Sequence, residues 1–260
     1  MSRRRHFLGL FVVALGFLLA AAPRPSAPAR VLMVTYSAGY QHDVVRRPAA
    51  GVPSIAERVV TDLARRSGRF EITPVNTREE LGALTVAAVR SYRGILFFTT
   101  GELPMAPDVR HAVFRAVHDG AGFIGVHSAT DTWYTVPEYG ALVGATFDGH
   151  PWHQRVRILV EDAMHPATRH LRDGFEIEDE IYQFRAWSRP RVHVLLRLDP
   201  RSVDVGRGKR SDGDYALAWT ARQGRGHVFY TALGHEPGVW ADERFHTHLR
   251  GAIEWALGHD

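Results

Sequence analysis

Four stretches of almost uninterrupted apolar residues, separated by segments with helical spacing, constrain the fold of this chain more than any other feature. Parallel strands are buried on both faces, so they read as continuous apolar runs with helices in the connections between them. The predicted strands span residues 30–36, 70–75, 94–99 and 120–127, and the predicted helices span residues 52–66, 81–91 and 107–118. This alternation predicts an α/β domain with a mainly parallel sheet and helices on both of its faces.

The second half of the chain is less regular and predicts antiparallel pairing. We expect strands at residues 155–160, 176–184 and 192–198, with a short helical turn at 163–171. A predicted antiparallel hairpin and a closing helix follow, at residues 214–221, 226–233 and 242–257. Because no linker, repeat or low-complexity tract interrupts residues 30–260, we expect one domain there.

The net charge of +4 arises entirely from the first 29 residues. Four arginines and no acidic residue precede residue 30, so the rest of the chain carries 28 basic and 28 acidic residues. A chain of zero net charge gives no reason to expect a nucleic-acid partner. The chain has no cysteine, which excludes disulfides, thiolate metal ligands and a cysteine nucleophile.

Residues 1–29 have the organisation of an export signal. The basic segment SRRRH at 2–6 precedes an apolar run at 7–22 and a Pro/Ala-rich stretch at 23–29. RRHFL at 4–8 resembles the twin-arginine export motif, and a general secretory signal is the alternative. The run is shorter than the roughly 20 residues that a membrane-spanning helix needs. We therefore expect a signal peptide and a periplasmic or extracellular protein, with an uncleaved N-terminal anchor as the alternative.

Histidine recurs in the polar loops that follow the predicted strands. Ligands of open parallel sheets bind outside the carboxyl ends of the strands, which makes these loops the place to look for a site. The loops are SAGYQH at 37–42, TTGE at 99–102, HSATDTWY at 127–134, FDGHPWH at 147–153 and LGHE at 233–236. Four of the five contain histidine, a concentration that scattered surface histidines would not produce.

Five short motifs follow one another along the chain: GFIGVHSATD at 122–131, DGHPWH at 148–153, HP at 165–166, DEIY at 179–182 and YTALGH at 230–235. Together they resemble the trehalose-utilisation (ThuA-like) family over residues 30–258. The resemblance implies a flavodoxin-like, class I glutamine amidotransferase-like three-layer sandwich, with a mainly parallel sheet and a C-terminal antiparallel hairpin. It also implies a link to the breakdown of disaccharides and 3-keto-glycosides.

Class I amidotransferases carry their catalytic cysteine on a strained strand-to-helix turn. In this chain GVH at 125–127 corresponds to that turn, with His127 in place of the thiol, and His235-Glu236 resembles the remaining His/Glu pair. The resemblance therefore implies a retained pocket, while the absence of cysteine excludes cysteine-dependent glutamine hydrolysis. Ser128, one residue beyond the turn position, is the alternative nucleophile of a serine-dependent hydrolase.

Histidines that meet at strand ends predict metal binding or proton transfer. Neutral imidazole is a common metal ligand, and zinc accepts three nitrogen or oxygen ligands plus a water molecule. The predicted metal ligands are His42, His127, His153 and His235, and the expected cofactor is one divalent ion, with zinc first. Without a metal, the histidines and a carboxylate would act as acid and base beside a substrate ketone. The predicted catalytic residues are His127, His235, Asp131 and Glu180.

Aromatic residues beside these loops favour a sugar ligand, because flat ring faces pack against pyranose rings. The predicted substrate-binding residues are Tyr40, Ser128, Trp133, Trp152 and Tyr182. The glycine-rich pieces at 120–125 and 206–208 lack the spacing of phosphate loops and of the dinucleotide fingerprint, so we expect no nucleotide cofactor.

Structural roles are open for the histidines. His127 could be a buried residue bonded to a backbone carbonyl, and His150 and His153 could simply flank Trp152 in a packed loop. His165, followed by proline, could begin a helix.

Structural roles are open for the carboxylates as well. Asp179 and Glu180 could form a turn pair that holds Arg185. Asp131 could cap the N-terminus of a helix rather than orient His127.

The sequence leads to three hypotheses of function. The first is an exported enzyme of carbohydrate catabolism that acts on a keto-glycoside or a related small sugar as a lyase, hydrolase or isomerase. The second is a non-catalytic sugar-binding protein on an amidotransferase-like fold. The third is a hydrolase that uses Ser128. They differ in whether His127, His235 and a carboxylate converge on one pocket.

Overall fold

The computed structural model describes residues 27–172 and 174–259, so most of the predicted export signal, residues 1–26, lies outside the described residues. The strands are β1 (Ala29–Val34), β2 (Phe70–Val75), β3 (Gly94–Phe97), β4 (Gly122–Val126), β5 (Thr146–Phe147), β6 (Trp152–Val160), β7 (Gly174–Ile181), β8 (Phe184–Arg185), β9 (His193–Leu198), β10 (Ala216–Gln223) and β11 (Gly226–Thr231). The α-helices are α1 (Ile55–Ser67), α2 (Arg78–Gly82), α3 (Val86–Arg90), α4 (Pro107–His118), α5 (Pro137–Val143), α6 (Pro237–Trp240) and α7 (Glu243–Ala256).

Nine of the strands form one mixed sheet in the order β2-β1-β3-β4-β11-β10-β9-β6-β7. The pairings from β2 to β11 are parallel, and those from β11 to β7 are antiparallel. We call β2-β1-β3-β4-β11 the parallel half and β10-β9-β6-β7 the antiparallel arm. The predicted α/β fold with its C-terminal hairpin, β10–β11, is therefore confirmed.

Helices cover the parallel half on both faces. One group consists of α1, α6 and α7 in mutual contact, and a second group is formed by α3, α4 and α5. The central strand β11 contacts helices of both groups, and every residue of β3 and β4 is buried. This double cover is the physical reason for the continuous apolar runs in the sequence.

Local capping sets the helix boundaries. Ser54 accepts the N–H of Glu57 at the start of α1, and the Glu57 side chain accepts the N–H of Ser54 in return. Thr77 and Thr85 each cap a helix of their own, so two short helices, α2 and α3, replace the single helix predicted at 81–91.

The segment between β6 and β7 differs from its prediction. Residues 163–171 form hydrogen-bonded turns, two of them closed on the carbonyl of His165, and no regular helix begins there. His165 is buried, and its Nδ1 accepts the N–H of Ala167, which ties down the turn locally. The HP motif therefore shapes a turn instead of starting a helix.

Within residues 27–172 and 174–259, we find no helix with both the length and the apolar character that crossing a bilayer demands.

Candidate functional site

Three histidines meet at the carboxyl ends of the parallel strands, as the sequence predicts. His42 lies in the loop after β1, His127 directly follows β4, and His235 lies in the loop after β11. Their ring centroids are 4.8 Å apart for His42 and His127, 5.0 Å for His42 and His235, and 5.3 Å for His127 and His235. The rings are nearly perpendicular to one another.

The backbone at His127 adopts the strained turn that the resemblance implies. Its φ of 46° lies in the left-handed region, which residues other than glycine rarely adopt. The Nδ1–H donates to the carbonyl oxygen of Ala232, 2.7 Å away, because a carbonyl can only accept. This bond fixes the orientation of the ring, as second-shell bonds do for metal-ligating histidines, and Nε2 is the nitrogen that faces Glu180. His127 can therefore bond to a backbone carbonyl through Nδ1 and still bind a metal ion through Nε2.

Glu180, from β7 of the antiparallel arm, completes the group. Its Oε2 lies 3.5 Å from His127 Nε2 and 3.2 Å from His235 Nδ1, and its Oε1 lies 3.2 Å from His150 Nδ1. Burial would raise the pKa of Glu180, but the adjacent imidazoles of His127 and His235 outweigh it and hold that pKa well below its usual range. Glu180 is therefore an ionised carboxylate in a nearly closed setting.

The imidazoles differ in protonation. Burial, with the nearby rings of His127 and His235, lowers the pKa of His42 to about 2, so His42 is neutral. Burial also acts to lower the pKa of His235, but Glu180 more than compensates and the net direction is upward. Because Glu180 favours the protonated form of His235, metal binding would displace that proton, which makes the affinity dependent on pH.

The donor set fits a divalent metal ion. One ligand atom from each of His42, His127, Glu180 and His235 lies within 4.8 Å of the other three. His42 Nδ1, His127 Nε2 and His235 Nδ1 are buried and lack an aligned hydrogen-bond partner among the described residues. Buried polar atoms are seldom left without a partner, so three such nitrogens around one carboxylate indicate an absent common partner. Three nitrogens and one oxygen are a set that zinc and neighbouring first-row ions accept.

His153 lies one step outside this group. Its Nε2 is 2.6 Å from Glu236 Oε1, and Glu236 in turn lies 3.8 Å from His235 Nε2. His153 and Glu236 thus form a second, half-exposed pair at the mouth, joined to the inner group through His235. Of the four predicted metal ligands, three lie together, and Glu180 takes the place expected for His153.

A cleft of about 460 Å³ opens onto the group. Besides His42, Glu180 and His235, its lining consists of Tyr40, Asp131, Phe147, His150, His153 and Tyr182. Phe147 stacks on His150 at 5.8 Å and contacts Tyr182 at 4.4 Å, which makes one wall aromatic. Tyr40, 64% exposed, stands edge-on to His42 at the mouth.

Two predicted sugar-binding tryptophans lie in the core instead of the cleft. Trp133 is buried against Phe97 and Tyr139, and its Nε1–H donates to the Leu103 carbonyl. Trp152 is buried, and its Nε1–H donates to the Asp204 carbonyl. Both indoles have their polar edge satisfied by backbone, so neither presents a face to a ligand in the cleft.

Ser128 does not line the cleft either. It is fully buried, and its Oγ has no hydrogen-bond partner among the described residues. Although it directly follows His127, the abrupt turn takes its side chain away from the imidazole group. No base is therefore in place to activate this hydroxyl as a nucleophile.

The acidic residues have other roles than the structural ones considered above. Asp131 lines the cleft, ends a short 3-10 turn instead of capping a helix N-terminus, and accepts a hydrogen bond from the Tyr134 hydroxyl. Burial raises the pKa of Asp131. Asp179 and Glu180 lie on β7 and not in a turn, and Arg185 packs over the Tyr134 ring instead of pairing with them.

The sequence signals missed Phe147 and undervalued His150. Both belong to the loop that leads into β6, where the DGHPWH motif stands directly after Phe147. The pairing of His153 in β6 with Glu180 in β7, which the sequence does not reveal, brings this loop to the cleft.

Fold and site together define an α/β protein of the amidotransferase-like type whose strand-end pocket holds histidines and a carboxylate. The model of the ThuA (trehalose utilisation) family matches residues 30–256, and the chain belongs to that family.

Solved structures share the fold at low sequence identity. A protein described as ThuA-like from Bacteroides uniformis ATCC 8492 has a TM-score of 0.68 and 21% identity, covering 91% of this chain and 94% of its own. Another described as ThuA-like, from Parabacteroides merdae ATCC 43184, has a TM-score of 0.70 and 16% identity, covering 89% and 91%. PurLQS from Thermotoga maritima has a TM-score of 0.52 and 14% identity, covering 88% and 99%. Among proteins of curated function, none matches the sequence.

Proposed function

We propose that the chain is an exported, metal-dependent enzyme of carbohydrate catabolism that acts on keto-glycosides or related neutral sugars. The observation that carries the proposal is the set of three buried imidazole nitrogens, each without an aligned partner, around the ionised Glu180. Export rests on residues 1–29, and a single catalytic domain on residues 30–260.

In this proposal His42, His127, His235 and Glu180 hold the ion. A bound divalent ion would polarise a sugar carbonyl or lower the pKa of a bound water toward about 7. The protein contributes preorganisation: the Ala232 carbonyl holds the His127 ring in one orientation, and burial keeps His42 neutral. No large rearrangement is then needed to present the donor atoms.

The mouth of the cleft supplies proton transfer. The side chains of His150 and His153 are 50% and 47% exposed, so both can exchange protons with water. His150 contacts Glu180, and His153 contacts Glu236. In this proposal His150 and His153 are the solvent-linked acid–base groups for a substrate that reaches the inner imidazoles.

The lining favours a neutral, hydroxyl-rich substrate. None of the described residues that line the cleft is Lys or Arg. Of the cations nearby, Lys209 is bound to Asp148, and Arg185 lies over the Tyr134 ring. Among the described residues, the lining thus offers no Arg or Lys to clamp a carboxylate or phosphate group, whereas a sugar could pack on the Phe147–His150–Tyr182 wall.

The test is turnover of a panel of 3-keto-disaccharides and 3-keto-glycosides by tag-free protein beginning at residue 30, with and without added zinc, cobalt or manganese. We expect consumption of at least one keto-sugar, stimulated by metal, lost on chelation and lost in His127→Ala. Binding of sugars without turnover would favour the non-catalytic alternative. Full turnover by chelator-treated protein would contradict the metal dependence of the reaction and would favour acid–base catalysis by the histidines and a carboxylate without a metal.

A further inference from the structure

Asp179 is a buried carboxylate that touches none of the imidazoles directly. It is 0% exposed, and its oxygens accept three consecutive backbone N–H groups, those of Gly234 at 2.8 Å, His235 at 3.0 Å and Glu236 at 3.1 Å. Within the described chain no Lys, Arg or His nitrogen lies within 4.0 Å of it. Successive N–H groups that converge on one anion form a nest, an arrangement that fixes the conformation of the donating segment.

The adjacent residue, Glu180, contacts the same loop from its other side. Successive residues of a strand project to opposite faces. Asp179 therefore holds the backbone of residues 234–236, while Glu180 meets the side chain of His235 at 3.2 Å. Two adjacent residues of β7 thus contact His235: Asp179 binds its backbone N–H, and Glu180 contacts its imidazole.

We infer that Asp179 is a positioning residue that sets His235 and Glu236 against the metal-binding group, an inference that rests on the proposed function. In the sheet, three strands separate β11, which leads into the His235 loop, from β7, which carries Glu180. Asp179 binds this loop directly and is the chain neighbour of Glu180, so the connection through Asp179 is much shorter than the one through the sheet. The 3.2 Å separation between His235 Nδ1 and Glu180 Oε2 is then insensitive to bending of the sheet.

The loop depends on this carboxylate. Gly234 has a φ of 128°, a conformation that side-chain-bearing residues rarely adopt, and the N–H groups of residues 234–236 have no other acceptor among the described residues. Asparagine at 179 would present an NH₂ group toward donors and remove one acceptor. At least one of the three N–H groups would lose its bond, and the loop would move away from Glu180.

The experiment compares Asp179→Asn with two controls. Glu178→Gln removes an exposed carboxylate one residue away on β7, and Asp199→Asn removes another buried carboxylate, which is bound to Arg201 instead of the loop. Zinc affinity is measured by calorimetric titration of tag-free protein. Amide exchange at residues 234–236 is measured by NMR in the metal-free protein.

We expect Asp179→Asn to weaken zinc binding by about 10- to 100-fold, the range seen when a second-shell partner is removed, with the controls within about 2-fold of wild type. Exchange of the three loop amides should accelerate by a similar factor while the amides of β4 stay protected. Gly234→Ala strains the loop and leaves Asp179 intact, and we expect it to weaken zinc binding as well. This variant replaces Asp179→Asn in the test if Asp179→Asn does not fold.

Unchanged zinc affinity in Asp179→Asn, or an equal loss in Asp199→Asn, would overturn the inference. If wild type itself binds no zinc, the proposed function fails, and loop exchange still decides the role of Asp179. If the amides of residues 234–236 exchange as slowly in Asp179→Asn as in wild type, Asp179 is not the group that holds the loop.

Discussion

The parallel half and the antiparallel arm supply different chemistry to one cleft. The parallel half provides the imidazoles of the buried His42 and His127 and of the partly buried His235 on short strand-end loops. The arm provides the carboxylates of Asp179 and Glu180, on the edge strand of the sheet. The common core of the fold thus presents imidazole ligands, and the appended arm supplies the negative charge and holds the geometry. The site exists only where the two regions meet.

Removal of the arm's carboxylate should have the largest effect. Glu180→Gln keeps the shape of the side chain but loses the charge that sits between His127 and His235. We expect turnover of the keto-sugar to fall by about 100-fold or more, as for other preorganised electrostatic groups. Steady-state kinetics against the exposed control Glu178→Gln measure the difference. Activity in Glu180→Gln close to that of the control would show that the arm contributes no chemistry.

The contact that His248 makes between the two regions should become less stabilising at acidic pH. His248 of α7 donates from Nδ1 to the Ala167 carbonyl in the arm, and its Nε2 contacts Thr231 Oγ1 of β11. Burial lowers the pKa of His248 to about 4 from its ordinary 6.5. Below pH 6.5 the unfolded chain therefore gains a proton that the folded chain excludes, and the free energy of unfolding falls as pH drops toward 4.

The His248 contribution to this slope should approach about 1.4 kcal/mol per pH unit. Urea unfolding at pH 7, 6 and 5 should give a shallower pH dependence for His248→Gln than for wild type. His111→Gln, on the exposed side of α4, is the control and should keep the wild-type slope. Equal slopes for wild type and His248→Gln would rule out this residue as a source of acid sensitivity.

The parallel half should contribute to substrate binding through Tyr40. Its ring is exposed at the mouth of the cleft, opposite the aromatic wall that comes from the arm side. We expect Tyr40→Ala to raise KM by about 3- to 10-fold with little change in kcat, because a stacking contact of this kind is made before and during the reaction. Met164→Ala, at an 85% exposed residue of the arm, is the matched control. A loss confined to kcat would mean that Tyr40 acts in the chemical step.

Ser128→Ala should have the smallest effect. The hydroxyl is buried without a partner, so its removal leaves no bond unmade. We expect turnover within about 2-fold of wild type and unchanged or slightly higher thermal stability. Loss of turnover with a fold intact by circular dichroism would revive the serine-hydrolase hypothesis.

The two regions also differ in how far the sequence predicts them. In the parallel half, burial on both faces imposes continuous apolar runs, and the predicted starts of β1, β2, β3 and β4 agree with the observed ones to within two residues. The strand-end rule then placed His42, His127 and His235 together without any coordinates. Because parallel strands all end at the same edge of the sheet, the loops that follow them can be placed together without knowledge of the strand order.

Burial in the arm resists such prediction because it depends on contacts between residues remote in sequence, such as Asp179 and Gly234. The run of β7, GFEIEDEI, contains three consecutive acidic residues at 178–180, and nothing in this local pattern indicates that Asp179 and Glu180 are buried. Both are buried because the end of this edge strand lies against the loop after β11. The burial of Trp133 and Trp152 has a similar cause, since their polar partners are backbone carbonyls remote in sequence.

The most direct test of the central claim is a zinc titration of tag-free protein, alongside His127→Ala and Glu180→Gln. The claim that both regions build one metal site predicts one ion per wild-type chain and a loss of affinity of about 100-fold or more in each variant. Absence of zinc binding by wild type, or binding that both variants retain at wild-type affinity, would contradict it.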